Sequence, residues 1–125
     1  MFVDTSVWVA AQRNVNGTEA TTLRGLLDAD EVGLAWPVRF ELLAGVAKKH
    51  RRALKHALGG LPVAIPTEDT WRLIDGWLSP AADAGHRFGL PDLLIAAAAH
   101  EQGAIVWSLD RDFEAMEKLG FVQCY

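Results

Sequence analysis

Four carboxylates stand where ordinary surface placement does not explain them: Asp4, Glu41, Asp92 and Asp110. Asp4 ends the apolar run Met1-Phe2-Val3 and opens Thr5-Ser6-Val7-Trp8-Val9. Glu41 interrupts an apolar stretch between Val38-Arg39-Phe40 and Leu42-Leu43-Ala44-Gly45. Asp92 follows Pro91 and leads into Leu93-Leu94-Ile95 and then Ala96 to Ala99. Asp110 follows Ala104-Ile105-Val106-Trp107-Ser108-Leu109. A charge beside apolar sequence is costly to bury unless it is paired or bound to metal. Four carboxylates drawn together repel one another. A hard cation such as Mg²⁺ or Mn²⁺, which prefers oxygen ligands, removes that penalty.

The elements that must position these acids follow from periodicity and turn chemistry. Phe2-Val3 reads as a short buried strand, and Ser6 to Arg13 as a helix. Asn14-Val15-Asn16-Gly17 is a turn signal. Thr18 to Asp28 is an amphipathic helix carrying Leu23, Leu26 and Leu27 on one face. Glu31 to Trp36 is a second strand. Pro37 fits the first turn of the next helix, which carries Phe40, Leu42 and Leu43 as far as Gly45 or Val46. Lys48 to Leu58 is a basic helix closed by Gly59-Gly60, and Leu61 to Ile65 a third strand. Glu68 to Leu78 has helical spacing through Trp71, Ile74, Trp77 and Leu78, and Ala81 to Leu90 reads as loop. Pro91 to Gln102 is a helix opened by proline and closed by Gly103. Ala104 to Ser108 is a strand, Asp112 to Lys118 a helix, and Phe121 to Cys124 a last strand.

Strands alternating with helices indicate an α/β fold with a parallel sheet. No repeat, low-complexity tract or linker divides the chain, so residues 1–125 read as one domain. Sites in open parallel sheets form beyond the C-terminal ends of the strands. Asp4 ends the first strand and Asp110 lies just past Ala104 to Ser108. Asp92 falls in the first turn of its helix, where a carboxylate complements the dipole. Glu41 lies one turn into its helix. The topology therefore brings all four acids to one edge of the sheet. Each acid also has an ordinary alternative. Asp4, Asp110 or Asp112 would serve as helix caps, Asp92 as a dipole complement and Glu41 as a solvated helix residue. The joint order of the four favours a common site.

The segments Val3-Asp4-Thr5-Ser6, Glu41-Leu42-Leu43-Ala44-Gly45, Gly89-Leu90-Pro91-Asp92-Leu93-Leu94-Ile95-Ala96-Ala97-Ala98 and Ser108-Leu109-Asp110-Arg111-Asp112-Phe113 together resemble the PIN-domain family. The similarity is strongest to the VapC-type toxins of bacterial toxin–antitoxin pairs, and it covers essentially the whole chain. It implies a three-layer α/β/α sandwich with a central, mainly parallel sheet. It also implies a Mg²⁺- or Mn²⁺-dependent endoribonuclease whose catalytic, metal-holding acids are Asp4, Glu41, Asp92 and Asp110. Asp112 is a fifth candidate metal ligand, ranked below these four. Ser108 stands where the family often has Thr, keeping a hydroxyl, and Ser6 is a polar neighbour of the acids. Hydrolysis of a phosphodiester needs no protein nucleophile in such a site, and one or two ions serve equally well. The same resemblance implies an RNA substrate, a cognate antitoxin and a homodimer.

Composition narrows the remaining classes. The net charge of −4 excludes coating nucleic acid or membrane by bulk charge, though not a local basic patch. A single cysteine, Cys124, excludes an internal disulfide. The longest apolar run, Leu93 to Ala99, is too short to span a bilayer, and the apolar start reaches Asp4 at once, so no signal peptide is expected. A cytoplasmic protein without membrane contact is the expectation. His50, His56, His86 and His100 lack zinc-ligand spacing. Gly59-Gly60 lacks the Lys-Ser/Thr of a phosphate loop. The five tryptophans are expected in the core or a subunit interface rather than stacked on bases. Lys48-Lys49-His50-Arg51-Arg52, with Lys55 and His56, is the one dense basic run. It reads either as a solvated helix face or as a holder of RNA phosphates, with Arg13, Arg39, Arg87 and Arg111 as further candidates. Two competing functions remain open: a domain of the same fold that only binds RNA or protein, and a phosphoryl-transfer enzyme using Asp4 as nucleophile.

Overall fold

A computed structural model describes residues Met1–Tyr125. The element order is β1 (Phe2–Val3), α1 (Thr5–Arg13), α2 (Thr18–Asp28), β2 (Leu34–Ala35), α3 (Trp36–Gly45), α4 (Lys48–Gly59), β3 (Val63–Ala64), α5 (Glu68–Asp83), α6 (Leu90–Gln102), β4 (Val106–Trp107) and α7 (Arg111–Lys118). Every strand pairing is parallel. Leu34 and Ala35 of β2 pair with Val63 and Ala64 of β3. Phe2 and Val3 of β1 pair with Val106 and Trp107 of β4. Bridges from Phe2 to Gly33 and from Val106 to Cys124 join these pairs into one ribbon, ordered β3, β2, β1, β4, Cys124. Helices cover both faces, giving the expected α/β/α layers.

Strand order decides where a site can form. The chain steps outward from β1 through β2 to β3, then crosses back to lay β4 on the other side of β1. The strand order therefore reverses between β1 and β4. At such a switch point the connections leave in opposite directions and open a crevice beyond the C-terminal strand ends. Asp4 and Ser108 are the first residues past those two ends.

The strands are shorter than the sequence predicts. Glu31 to Trp36 contributes only Leu34–Ala35 plus the bridge at Gly33: Glu31 N–H still bonds back to Leu26 O of α2, and Trp36 already opens α3 with Pro37 behind it. Phe121 to Cys124 makes a single bridge, held by Val106 N–H to Gln123 O at 2.9 Å and Tyr125 N–H to Val106 O at 2.8 Å. In the other direction, α5 runs on to Asp83, straight through Pro80, over ground that reads as loop. Ile74, Trp77 and Ala81 continue one buried stripe, while Ser79 and Pro80 face solvent. The bond that Pro80 cannot donate thus falls on the wet side.

Helix α6 is the packing centre. It lies against β1, β2 and β4 and also meets α3, α5 and α7. Ala96, Ala97, Ala98 and Ala99 are all buried, and their small side chains let the helix sit close to the sheet. Gly103 ends it in the left-handed conformation (φ 61°), which costs a glycine little. His100 in the last turn bonds through Nδ1 to Phe121 O at 2.8 Å and meets Trp77 edge-on. Trp8, Trp77 and Trp107 are core residues as expected, whereas Trp71 is exposed and Trp36 is only partly covered. Because the alanine face has no spare volume, Ala97→Leu should cost roughly 1–3 kcal/mol by overpacking. Urea unfolding should show that loss as a lower midpoint with an unchanged slope.

Candidate active site

Three helices begin at the crevice, and each brings an acid. Asp4 is the N-cap of α1, Asp110 is the N-cap of α7, and Asp92 sits in the first turn of α6 behind Gly89. The capping alternative is therefore correct for Asp4 and Asp110, and it does not compete with a shared site. Free N–H groups and the positive end of each helix dipole make these places favourable for negative charge. Glu41 arrives from α3, as its sixth residue, on an exposed position at the rim.

Asp4 is buried, 7% exposed, and is fixed from three sides. Its Oδ2 accepts from Ser6 Oγ at 2.7 Å, from Ser108 Oγ at 2.8 Å and more weakly from Ser6 N–H at 3.4 Å. The two serines are themselves tied to the β4–α7 connection. Leu109 N–H donates to Ser6 Oγ, and Asp110 N–H donates to Ser108 Oγ, both at 3.0 Å. Asp110 Oδ1 in turn accepts from Asp112 N–H at 2.9 Å. One chain of bonds thus runs from α1 through both serines to the start of α7. It uses Asp4 Oδ2 fully and leaves Oδ1 without a protein donor. Thr5, next in sequence, buries an Oγ1 that has no partner, a polar atom free for water or a ligand.

Oxygens of Asp92, Asp110 and Asp112 all lie within 4.8 Å of one another. Oxygens sharing one Mg²⁺ at 2.0–2.1 Å stand at most about 4.2 Å apart, so a small closure completes a site. Asp112, ranked lowest from sequence, belongs to this tight group; Asp4 and Glu41 do not. Both still act on it. The Asp92 carboxyl is pushed up to about 6, first by burial and then by the charges of Asp4, Asp110, Asp112 and Glu41, in that order. No lysine, arginine or histidine pairs with any of the five. The ion pairs of this protein are Arg72 with Glu68 and with Asp69, on α5. Five uncompensated carboxylates offering only oxygen fit a hard divalent cation. Asp4 has no lysine beside it and has Oδ2 occupied by serine hydroxyls, which does not suit a phosphoaspartyl nucleophile. The sequence signalled the acids and the hydroxyls of Ser6 and Ser108. It did not signal that both hydroxyls converge on one Asp4 oxygen, nor the unpartnered Thr5 Oγ1. Those depend on a contact across 104 residues of chain.

The raised Asp92 carboxyl has a definite pH signature. Its folded value of about 6 lies above the ordinary value of 3.8, so between those values the folded state binds more protons than the unfolded one. Stability of the metal-free protein attributable to this residue is therefore lost as pH rises from about 4 through 6. Asp92→Asn should melt at a higher temperature than the wild type at pH 7 and at nearly the same temperature at pH 4. Scanning calorimetry in the presence of a chelator measures the difference. A gap that narrows as pH rises contradicts the assignment.

Comparison with known proteins agrees with this geometry. The family model described as PIN domain matches residues 1–119. Ribonuclease VapC18 of Mycobacterium tuberculosis is 34% identical over 117 aligned residues, covering 90% of this chain and 83% of the relative. Ribonuclease VapC11 of the same species is 29% identical, covering 98% of this chain and 96% of the relative. Among solved structures, VapBC-1 from nontypeable Haemophilus influenzae superposes with a TM-score of 0.77 at 18% identity, over 99% of this chain and 95% of that one. VapBC2 from Rickettsia felis, solved bound to a promoter DNA fragment, gives 0.76 at 18% identity, over 99% and 96%. From its first strand to its last helix, the chain belongs to the PIN-domain family.

Proposed function

We propose that this chain is a metal-dependent endoribonuclease and the toxin of a toxin–antitoxin pair. The observation that carries the reading is the set of acids at the β1/β4 switch point, unpaired with any cation: four built on three helix N-termini, with Glu41 from α3 beside them. Relatives bearing the name VapC ribonuclease, similar over nearly the full length, support the same chemistry. Asp92, Asp110 and Asp112 would hold a divalent ion, with Asp4 and Glu41 completing its surroundings. Such an ion, when bound, polarises a phosphate oxygen and acidifies a coordinated water. The chain's own residues provide position. Ser6 and Ser108 lock Asp4 so that its free Oδ1 faces one fixed direction, and the α7 cap holds Asp110. Glu41, exposed on α3, would meet the substrate from solvent. We assign Mg²⁺ or Mn²⁺ as the ion because all the donors are oxygen.

The partners follow from the same reading: a cognate antitoxin and a second copy of the chain. Two separate apolar surfaces are available to them. One is a groove of about 330 Å³ between Trp36, Phe40, Leu90 and Leu94, where Trp36 stacks on Phe40 at 5.3 Å. The other, about 400 Å³, lies between Trp8, Ala11, Leu23 and Leu27, with Leu54 at its edge. Grooves lined by apolar side chains offer a partner contacts that water does not replace. No helix is long and apolar enough to cross a membrane.

Cleavage assays and light scattering check the reading. Asp4→Ala, Glu41→Ala, Asp92→Ala and Asp110→Ala should each abolish most cleavage of single-stranded RNA, and excess chelator should do the same to the wild type. Because the sites are grouped around Asp92, Asp112→Ala should also be strongly impaired. Ser108→Ala should lower the rate roughly 10–100-fold by releasing Asp4, while Ser108→Thr, which keeps the hydroxyl, restores it. Light scattering on the isolated chain should give twice 13.7 kDa. Chelator-resistant cleavage, or a fully active Asp92→Ala, contradicts the assignment.

A further inference from the structure

Helix α4 violates the ordinary rules of helix construction. Its first five residues are Lys48, Lys49, His50, Arg51 and Arg52, with Lys55 and His56 following, and it contains no acid. Cations at a helix N-terminus oppose the macrodipole. Like charges three and four residues apart repel, as Lys48 and Arg52 or Arg51 and Lys55 must. The N-cap is Ala47, which supplies no side-chain bond. No acidic residue pairs with any of the five Lys and Arg side chains, all of which are exposed. The concentration is sharp. α4 holds five of the twelve Lys and Arg, so the rest of the chain sets seven against sixteen Asp and Glu. Packing offsets little of this cost, since Leu58 is the one buried residue of the helix and Leu54 is half-buried. Local rules broken without internal compensation mark places where an external partner supplies it.

The chemistry of that partner is legible. Protein interfaces are rich in aromatic and apolar side chains and poor in Lys. None of the exposed large apolar residues of this molecule lies on α4. A Lys- and Arg-covered face with its leucines turned inward is instead a phosphate-contacting surface. Its place is also suitable. Lys48 follows Glu41 by four helical residues and three linking ones, which bounds their Cα separation at roughly 17 Å. We propose that α4 is the RNA-backbone-binding face of the molecule, with Lys48, Lys49, Arg51, Arg52 and Lys55 holding phosphates of the strand that enters the acidic crevice. The proposal rests on the nuclease reading for the identity of the polyanion. Binding along α4 removes the unfavourable charge at the helix start, so it orders the first turn as well as anchoring the strand.

The double variant Lys48→Glu/Lys49→Glu tests this. It places carboxylates at the positive helix end, one turn before Arg51 and Arg52, so it should raise the melting temperature of the free protein. In the same variant, affinity for a single-stranded RNA, measured in the Asp92→Asn background to prevent cutting, should fall. Losing two phosphate contacts lowers the log–log salt slope by about 1.4 and the affinity at 0.1 M salt by about 25-fold. RNA should also slow amide exchange across residues 48–52 in the parent protein. An unchanged affinity and slope overturn the proposal, even if the wild type cuts RNA. Unchanged RNA binding with lost binding of the cognate antitoxin likewise overturns it and assigns α4 to the protein partner. A wild type that binds RNA through α4 but never cuts it leaves this inference standing and removes the nuclease reading.

Discussion

Repulsion among carboxylates is the constraint around which this structure is organised. Five acids meet here with no ion pair to a basic side chain, and the push on the Asp92 carboxyl, to about 6, reports its burial first and then their charges. A fold must hold such a group together by means other than ion pairing. Here the means are backbone dipoles and hydroxyl donors. Helices α1, α6 and α7 start at the crevice, so free N–H groups surround the acids, and Ser6 and Ser108 supply further donors to Asp4. These bonds orient the charges without neutralising them. A neutralised cluster, with an arginine inserted, would be more stable and would have no affinity left for a cation.

The remainder of the architecture serves that arrangement. The reversal of strand order between β1 and β4 places the ends of two neighbouring strands under helices that leave in different directions. Helix α6 must then approach the sheet closely enough to bring Asp92 over the same point, and its buried alanines permit this. Phe113 and Met116, both buried, anchor α7 so that its cap, Asp110, cannot drift. The densest positive charge of the molecule lies on α4, and none of its side chains forms an ion pair with the acids. Charge segregation of this kind costs stability in both places.

Much of this was legible in the chain. Proline before Asp92, glycine after Gln102, and an apolar run ending at Asp4 are local signals with local causes, and they located the helices and the acids. The β/α alternation gave the layers and the edge at which the acids meet. What was not legible depended on long-range geometry. Strand β2 shrank from both ends, because Glu31 stays bonded to the end of α2 and Trp36 opens α3. Helix α5 overran its apparent end because Ala81 continued a buried stripe that Pro80 conceals. Asp112 looked secondary because a helix first turn is full of acids for ordinary reasons; only the approach of α6 makes it a neighbour of Asp92. The hydroxyls of Ser6 and Ser108 were visible as polar residues, but not their shared target.

A divalent cation held by this cluster, as proposed, would compete with the proton on Asp92. Calorimetric titration of Mn²⁺ into the metal-free protein at pH 6, in two buffers of different ionisation heat, tests it directly. A cation must displace the proton that Asp92 holds, so binding at pH 6 should release about half a proton per ion. The release should vanish by pH 8, where Asp92 is already ionised. Absence of binding, or binding with the same proton release at both pH values, contradicts the account.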